Sequence, residues 1–231
     1  MKLAIVIPAY NEEEKLAQVI KTLPKKFPKI SETEIIVIND GSKDNTEKIA
    51  KKYRTTVISH FINRGLGSAL GTGFEYVKEN NFDVLVTFDA DGQHNPKDIA
   101  KVLKPITDKR ADVVIGSRLK NRKGMPWYRQ VGILGLNIFT LIFFWVWTSD
   151  SQSGLRAFSK VAIQKIELKS NKMEVSSEFF NEVQRHNLKM KEVPIASIYT
   201  QYSLKKGVGK GQIRHGISII SKLIYRRFFA K

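Results

Sequence analysis

Val84-Leu85-Val86-Thr87-Phe88-Asp89-Ala90-Asp91-Gly92-Gln93 joins an apolar run, broken only by Thr87, to an acidic loop. A short run of this kind suits a strand buried on both faces of a parallel sheet. Two carboxylates at i and i+2, just past the strand's carboxyl end, can both turn into a cleft. A hard divalent cation takes oxygen ligands, and Mg²⁺ combines one or two carboxylates with substrate phosphates. Asp-x-Asp also occurs for turn reasons alone. Its place after a strand, ahead of Gln93 and His94, favours the metal.

The same rhythm runs outward from there. Leu3–Pro8, Glu34–Ile38, Thr55–Ser59 and Asp112–Gly116 read as further strands. Between them, Leu16, Val19, Ile20 and Leu23 recur at helical spacing, with Asn11 as a candidate cap. Ile49, Ala50 and Tyr53 mark a second helix, and Leu66, Ala69, Leu70, Phe74 and Val77 a third. Pro96 stands near the start of another, where a missing N–H costs little. Alternation of this kind predicts an α/β fold with a doubly wound, mostly parallel, Rossmann-like sheet. Ligands of such sheets bind outside the carboxyl ends of the strands. Two more loops at that edge are polar: Pro8-Ala9-Tyr10-Asn11-Glu12-Glu13 and Asn39-Asp40-Gly41-Ser42-Lys43-Asp44. A helix start or a turn explains either loop singly. Three on one edge point to a shared site.

Beyond residue 120 the character changes. Residues 1–120 hold 20 Lys+Arg against 16 Asp+Glu, whereas residues 121–231 hold 19 against 6. The basic excess behind the net charge of +17 therefore sits in the second half. No helix-turn-helix, zinc-finger or RRM signature accompanies it, so no nucleic acid is expected. Coincidence with apolar segments favours an anionic membrane surface. Val131–Trp147 is nearly all apolar, interrupted by Gly132, Gly135, Asn137 and Thr140. It is open to three readings: a membrane span, a buried core helix, or an interfacial helix with tryptophans at headgroup depth. Ile213, Ile217, Ile220, Leu223 and Ile224, flanked by Arg214, Lys222, Arg226 and Arg227, read as a basic amphipathic helix or one packed on the core. The absence of cysteine excludes disulfides and thiolate metal sites. No signal peptide is expected at the N-terminus. One α/β domain is expected, its residues 1–120 and 121–231 forming two halves of different charge.

Four motifs occur in order: Pro8-Ala9-Tyr10-Asn11-Glu12, Asn39-Asp40-Gly41-Ser42-x-Asp44, Asn63-Arg64-Gly65-Leu66-Gly67-Ser68-Ala69 and Asp89-Ala90-Asp91-Gly92-Gln93-His94. In this combination the chain resembles the family-2 inverting glycosyltransferases of GT-A fold. Gly116-Ser117-Arg118 and Asp150-Ser151-Gln152-Ser153-Gly154-Leu155-Arg156-Ala157-Phe158 narrow the resemblance to the polyprenyl-phosphate branch, which includes the dolichyl-phosphate mannosyltransferases. The resemblance implies a nucleotide-diphospho-sugar donor, a polyprenyl-phosphate acceptor and a Mg²⁺ or Mn²⁺ cofactor, with 1–120 the nucleotide-sugar-binding half and 121–231 the acceptor-binding, membrane-facing half of the one domain. It assigns donor binding to Pro8, Tyr10, Glu12, Asp40, Asp89 and Ala90, and the metal to Asp89, Asp91 and Gln93. Asp91, Arg118 and Arg129 take the catalytic role. Ser153, Arg156, Tyr199, Ser203 and Lys205 fall on acceptor or phosphate loops. The implied location is peripheral, on the cytoplasmic face of the cell membrane. Asn39 stands where an Asp is frequent, and no transmembrane hairpins follow the catalytic region, which leaves attachment to the apolar segment and the C-terminal helix.

A sugar-hydroxyl acceptor needs a general base, which family members supply from a Glu-Asp pair. No Glu-Asp dipeptide occurs in this chain, and the Gln-x-x-Arg-Trp element of processive synthases is missing. A phosphate acceptor, largely ionised near neutrality with a second pKa of about 6, needs no such base. Three other readings stay open at this point: a non-lipid hydroxyl acceptor served by Asp150 or Glu178, a non-catalytic nucleotide- or nucleic-acid-binding module, and a nucleotidyltransferase.

Overall fold

The computed structural model describes residues 1–120, 125, 127–144, 146–171 and 175–198 of the chain. Met1–Ile198 forms one compact unit. Its five leading strands fall where the apolar runs predict: β1 Lys2–Ala9, β2 Glu32–Asn39, β3 Thr56–Ser59, β4 Val84–Thr87 and β5 Val113–Ser117. Helices α1 Leu16–Thr22, α2 Thr46–Lys52, α3 Leu66–Glu79 and α4 Ile99–Thr107 connect them, the last entered through a 3₁₀ turn at Pro96–Asp98. Then come α5 Trp127–Phe144, β6 Arg156–Ser159, α6 Lys160–Lys165, α7 Val175–Arg185 and β7 Met190–Pro194.

The sheet order is β3-β2-β1-β4-β6-β5-β7. Every pairing is parallel except those of β6, which runs antiparallel to both β4 and β5, with Ala157 facing Val86 on one side and Val114 on the other. Strand β1 shows why the sheet is covered twice. Leu3, Ile5 and Ile7 enter one apolar cluster with Leu16, Val19 and Ile99. Ala4 and Val6 enter another with Phe74, Phe158 and Phe179. Period-2 alternation with both faces apolar leaves only the strand ends free for polar chemistry.

Two expectations change. Asn11 does not cap α1: the helix begins at Leu16 with no side-chain cap, and Asn11 adopts φ 53°. Its Oδ1 instead accepts from Lys43 N at 2.9 Å, tying the loop after β1 to the loop after β2. The buried-core reading of Val131–Trp147 also fails, because α5 keeps Val131, Leu134, Ile138 and Ile142 exposed while Asn137 and Thr140 are buried. Among the described residues no helix is long and apolar enough to cross a membrane. The amphipathic segment around 213–227 lies outside the described residues.

Candidate active site at the carboxyl edge of the sheet

The ends of β1, β2, β4 and β5 and the start of β6 converge on one edge, and the predicted polar residues follow them there. Strand β4 releases the chain at Thr87, whose Oγ1 donates to Gly154 O at 2.7 Å and fastens the 150–155 loop beneath the acidic pair. Asp89 lies directly against Gly154: a methyl group on that glycine would overlap both carboxylate oxygens. His94 Nε2 meets Asp89 Oδ2 at 2.9 Å from a buried position. Asp91 accepts from Gln93 N at 2.9 Å and from the Gln93 side-chain amide. Ala90, between the two acids, is buried.

The two carboxyls are driven apart. For Asp89, burial pushes the pKa up, but the His94 hydrogen bond and the charges of His94, Arg118 and Arg156 outweigh it and leave the group below its ordinary range. For Asp91, burial and then the Asp89 charge push it up, and Gln93 and His94 offset only part. An acidic pair in which the second member resists ionisation is one that a cation would relieve. Among the described residues no cluster of three His, Cys, Asp or Glu forms a complete metal cage. Two carboxylates and the Gln93 amide would still suit a hard cation that takes further oxygen ligands from a bound phosphate.

Arg118 stands at the end of β5. Its backbone N, Nε and Nη2 all donate to the Asp150 carboxylate, at 2.9, 2.7 and 2.8 Å, and Asp150 is fully buried. This forked pairing fixes the plane of the guanidinium as well as its position. Glu192 on β7 holds the same loop from below. Its carboxylate accepts from Thr148 Oγ1, Ser149 N and Ser149 Oγ, each at 2.7 Å, and pairs with Lys120 at 3.1 Å. Arg156, buried at the start of β6, donates from Nε to Ser153 O and from Nη2 to Ser151 O, and lies over the Phe179 ring. Burial, with the Arg118 charge adding to it against the pull of Asp150 and Asp89, lowers its pKa to about 10, so it stays cationic at neutrality. Ser153 is buried beside it, its hydroxyl without a hydrogen-bond partner among the described residues. A cleft lined by Pro8, Leu66, Thr87, Asp89, Ser153 and Arg156 opens at this point.

On the β1–β2 side, Tyr10 is exposed and Glu12 is buried, with its N–H donating to Thr46 Oγ1 at 2.8 Å. Asp40 receives Arg64 N and Gly65 N at 2.9 and 2.8 Å and faces His60 Nδ1 at 2.7 Å. It therefore organises the loop entering α3, a task that its sequence position did not suggest. The Arg129 side chain, Tyr199, Ser203 and Lys205 lie outside the described residues. Sequence reading missed the supports: Gly154, Glu192, and Asp150 as the anchor of Arg118. Gly154 was within reach, since it sits between Ser153 and Arg156 in a motif already singled out.

Two expectations follow locally. Gly154→Ala forces Asp89 out of place, and overpacking of this kind costs about 1–3 kcal/mol. Calorimetric titration with Mn²⁺ plus a nucleoside diphosphate should show binding weakened by about tenfold or more while circular dichroism is retained; unchanged binding would contradict the placement of Asp89. The second concerns Glu192. Burial pushes its carboxyl up, but the hydrogen bonds from Ser149 and Thr148 with the Lys120 ammonium reverse this, leaving it below its ordinary 4.5. A depressed folded pKa means the stabilisation is whole above the unfolded value and is lost as pH falls through the folded one. The gap in melting temperature between wild type and Glu192→Gln should be widest near neutrality and should begin to shrink as pH falls below about 4.5. A gap constant from pH 7 to pH 3 would refute the assignment.

Residues 4–166 match the family model described as glycosyl transferase family 2. The chain is 38% identical over 249 aligned residues to the UDP-N-acetylglucosamine–dolichyl-phosphate N-acetylglucosaminyltransferase of Methanococcus voltae, covering 98% of this chain and 95% of that protein. It is 31% identical to the polyprenol monophosphomannose synthase of Mycolicibacterium smegmatis over 71% of this chain and 64% of that one. In structure it resembles glucosyl-3-phosphoglycerate synthase of Mycobacterium tuberculosis, solved with Mn²⁺, UDP-glucose and phosphoglyceric acid. That likeness has a TM-score of 0.72 at 15% identity and covers 98% of this chain and 79% of the other. At that identity the likeness establishes a shared GT-A fold.

Proposed function

The chain belongs to glycosyl transferase family 2, and from that premise we propose that it moves a hexosyl unit, with inversion, from a nucleotide-diphospho-sugar to a polyprenyl phosphate at the membrane surface. The observation that carries the reading is the meeting of an acidic pair, Asp89 and Asp91, with the Asp150-anchored Arg118 on one sheet edge. Relatives named for dolichyl-phosphate and polyprenol substrates support the acceptor, and they leave the donor open between UDP- and GDP-sugars.

Asp89, Asp91 and Gln93 would hold the divalent cation, Mg²⁺ or Mn²⁺. When bound, that ion supplies Lewis-acid stabilisation to a departing nucleoside diphosphate. The residues of the chain do the rest. Tyr10, Glu12 and Pro8 flank the base and ribose side. Arg118, held in one plane by Asp150, offers a pre-oriented cation to phosphate. Arg129 is assigned with Arg118 to donor or acceptor phosphate, and Tyr199, Ser203 and Lys205 to the acceptor side with Ser153 and Arg156. No Glu-Asp pair occurs in the chain, which suits an acceptor that arrives already ionised. We place the enzyme peripherally on the cytoplasmic face, held by basic residues that each contribute about 1 kcal/mol toward anionic lipid.

The test is transfer of radiolabelled sugar from UDP- and GDP-sugars to dolichyl phosphate, set against soluble glycan acceptors, with and without chelator. Label should enter the lipid phase and stop doing so on chelation. Label passing only to the soluble hydroxyl acceptor would replace the proposed acceptor with a glycan.

A further inference from the structure

Helix α5 exposes an apolar stripe and buries two polar side chains beside the half-buried Ile133, Leu136 and Leu141. Val131, Leu134, Ile138 and Ile142 are exposed to 61, 48, 46 and 63%. Spaced three, four and four residues apart, they form one stripe along the helix. Asn137 and Thr140, at 1% exposure each, occupy the reverse side. A helix packed in water shows the opposite order, apolar inward and polar outward. Thr140 satisfies its hydroxyl within the helix, on Leu136 O at 2.8 Å. Asn137 reaches out of it. Its Nδ2 donates to Ser149 O at 2.7 Å, and its Oδ1 accepts from Ser151 N at 2.9 Å. Those two groups flank Asp150, whose carboxylate takes three hydrogen bonds from Arg118.

We infer that α5 is a relay: its outer stripe rests in the surface of an anionic bilayer, and Asn137 on its inner side sets the loop that positions Arg118. Three observations choose the bilayer as occupant. The stripe runs from Val131 to Ile142 of an 18-residue helix, about 17 Å along its axis, an apolar face of the kind that an interfacial helix buries. Trp147, 61% exposed, follows the helix end, where an interfacial indole would sit. The half of the chain that carries α5 holds 19 Lys+Arg against 6 Asp+Glu, complementary to anionic headgroups. Asn137 is a positioning residue, acting on Arg118 only through the 149–151 loop. The functional value of the relay rests on the proposed phosphate-binding role of Arg118; the contacts themselves do not.

The test needs no turnover, so its failure is separate from failure of the proposed reaction. Full-length protein is co-sedimented with phosphatidylglycerol–phosphatidylcholine vesicles, and amide hydrogen exchange is followed at residues 148–152 with and without them. Wild type should bind, and exchange in that loop should slow on binding. Ile138→Glu should bind at least about tenfold more weakly, since a large aliphatic contact is lost and a charge put in its place. Asn137→Ala should bind like wild type yet lose the vesicle-induced slowing. Thr140→Val, which removes a buried hydroxyl from the same side of the helix without touching the loop, should keep it and so controls for a merely structural effect. Asn137→Ser, a milder change, keeps the arm readable should Asn137→Ala fail to fold, and should show reduced slowing. Equal vesicle binding by Ile138→Glu, or wild-type self-association on sedimentation that Ile138→Glu abolishes, would overturn the bilayer in favour of no partner or a second copy. Undiminished slowing in folded Asn137→Ala or Asn137→Ser would overturn the relay.

Discussion

In Asp91→Asn protein, sugar transfer should fall by about 10²–10³-fold, while the melting temperature holds at or above that of wild type. The two effects have one cause. Asp91 is held above its ordinary carboxylate range by burial and by the Asp89 charge beside it. A neutral amide of the same shape removes that repulsion, so the fold gains or is unaffected. The site loses half of its acidic pair. Removing one preorganised group that stabilises developing charge costs catalysis on this scale. A residue that costs stability and serves function is the expected signature of an active site. Steady-state assay with thermal unfolding on the same preparation checks both. Loss of activity with a matching loss of stability would mean that Asp91 is a structural residue.

Asp150→Ala should lower both quantities. Asp150 is fully buried and neutralises Arg118 through three hydrogen bonds. Removing one partner of such a pair leaves an uncompensated charge and costs about 3–5 kcal/mol. Arg118 also loses the fork that fixes its plane, and transfer should fall by about 10²-fold with it. Asp150→Asn restores an acceptor oxygen but turns an amide N–H₂ toward the guanidinium, so it should recover stability only in part. Urea denaturation beside the transfer assay measures the two losses together. Wild-type stability in Asp150→Ala would show that the pair is not the anchor of this loop.

Local periodicity made the first half of the fold legible. Strands β1, β2, β4 and β5 announce themselves because each carries an apolar run closed by polar residues, whereas β3 has only Val57 and Ile58 and shows by its place in the alternation. Strand β6 does neither. Arg156-Ala157-Phe158-Ser159 is four residues long and opens on a cation, and its place between β4 and β5 depends on an antiparallel insertion that no local pattern encodes. The same division holds in the site. Asp89 and Asp91 stand out because they follow a strand directly. Asp150 lies 32 residues from Arg118, and Glu192 lies 43 from Ser149, so their roles as supports exist only once the chain has folded. Asp40, assigned to the donor by resemblance, also knits the loop at Arg64 and Gly65, a contact that no local pattern announces. Asn137 appeared in the sequence as a flaw in an apolar run. In the structure its two hydrogen bonds give that flaw a purpose.

Thermal unfolding of wild type with UDP or GDP and Mn²⁺, each alone and in combination, probes the proposed metal–diphosphate site most directly. Ligand that binds only the native state stabilises by mass action, about 2.7 kcal/mol at a hundred times Kd. The melting temperature should rise with one nucleotide and the ion together, rise far less with either alone, and not rise in Asp91→Asn. A nucleotide shift of the same size without the ion, or one that survives in Asp91→Asn, would contradict the acidic pair as the seat of the cation.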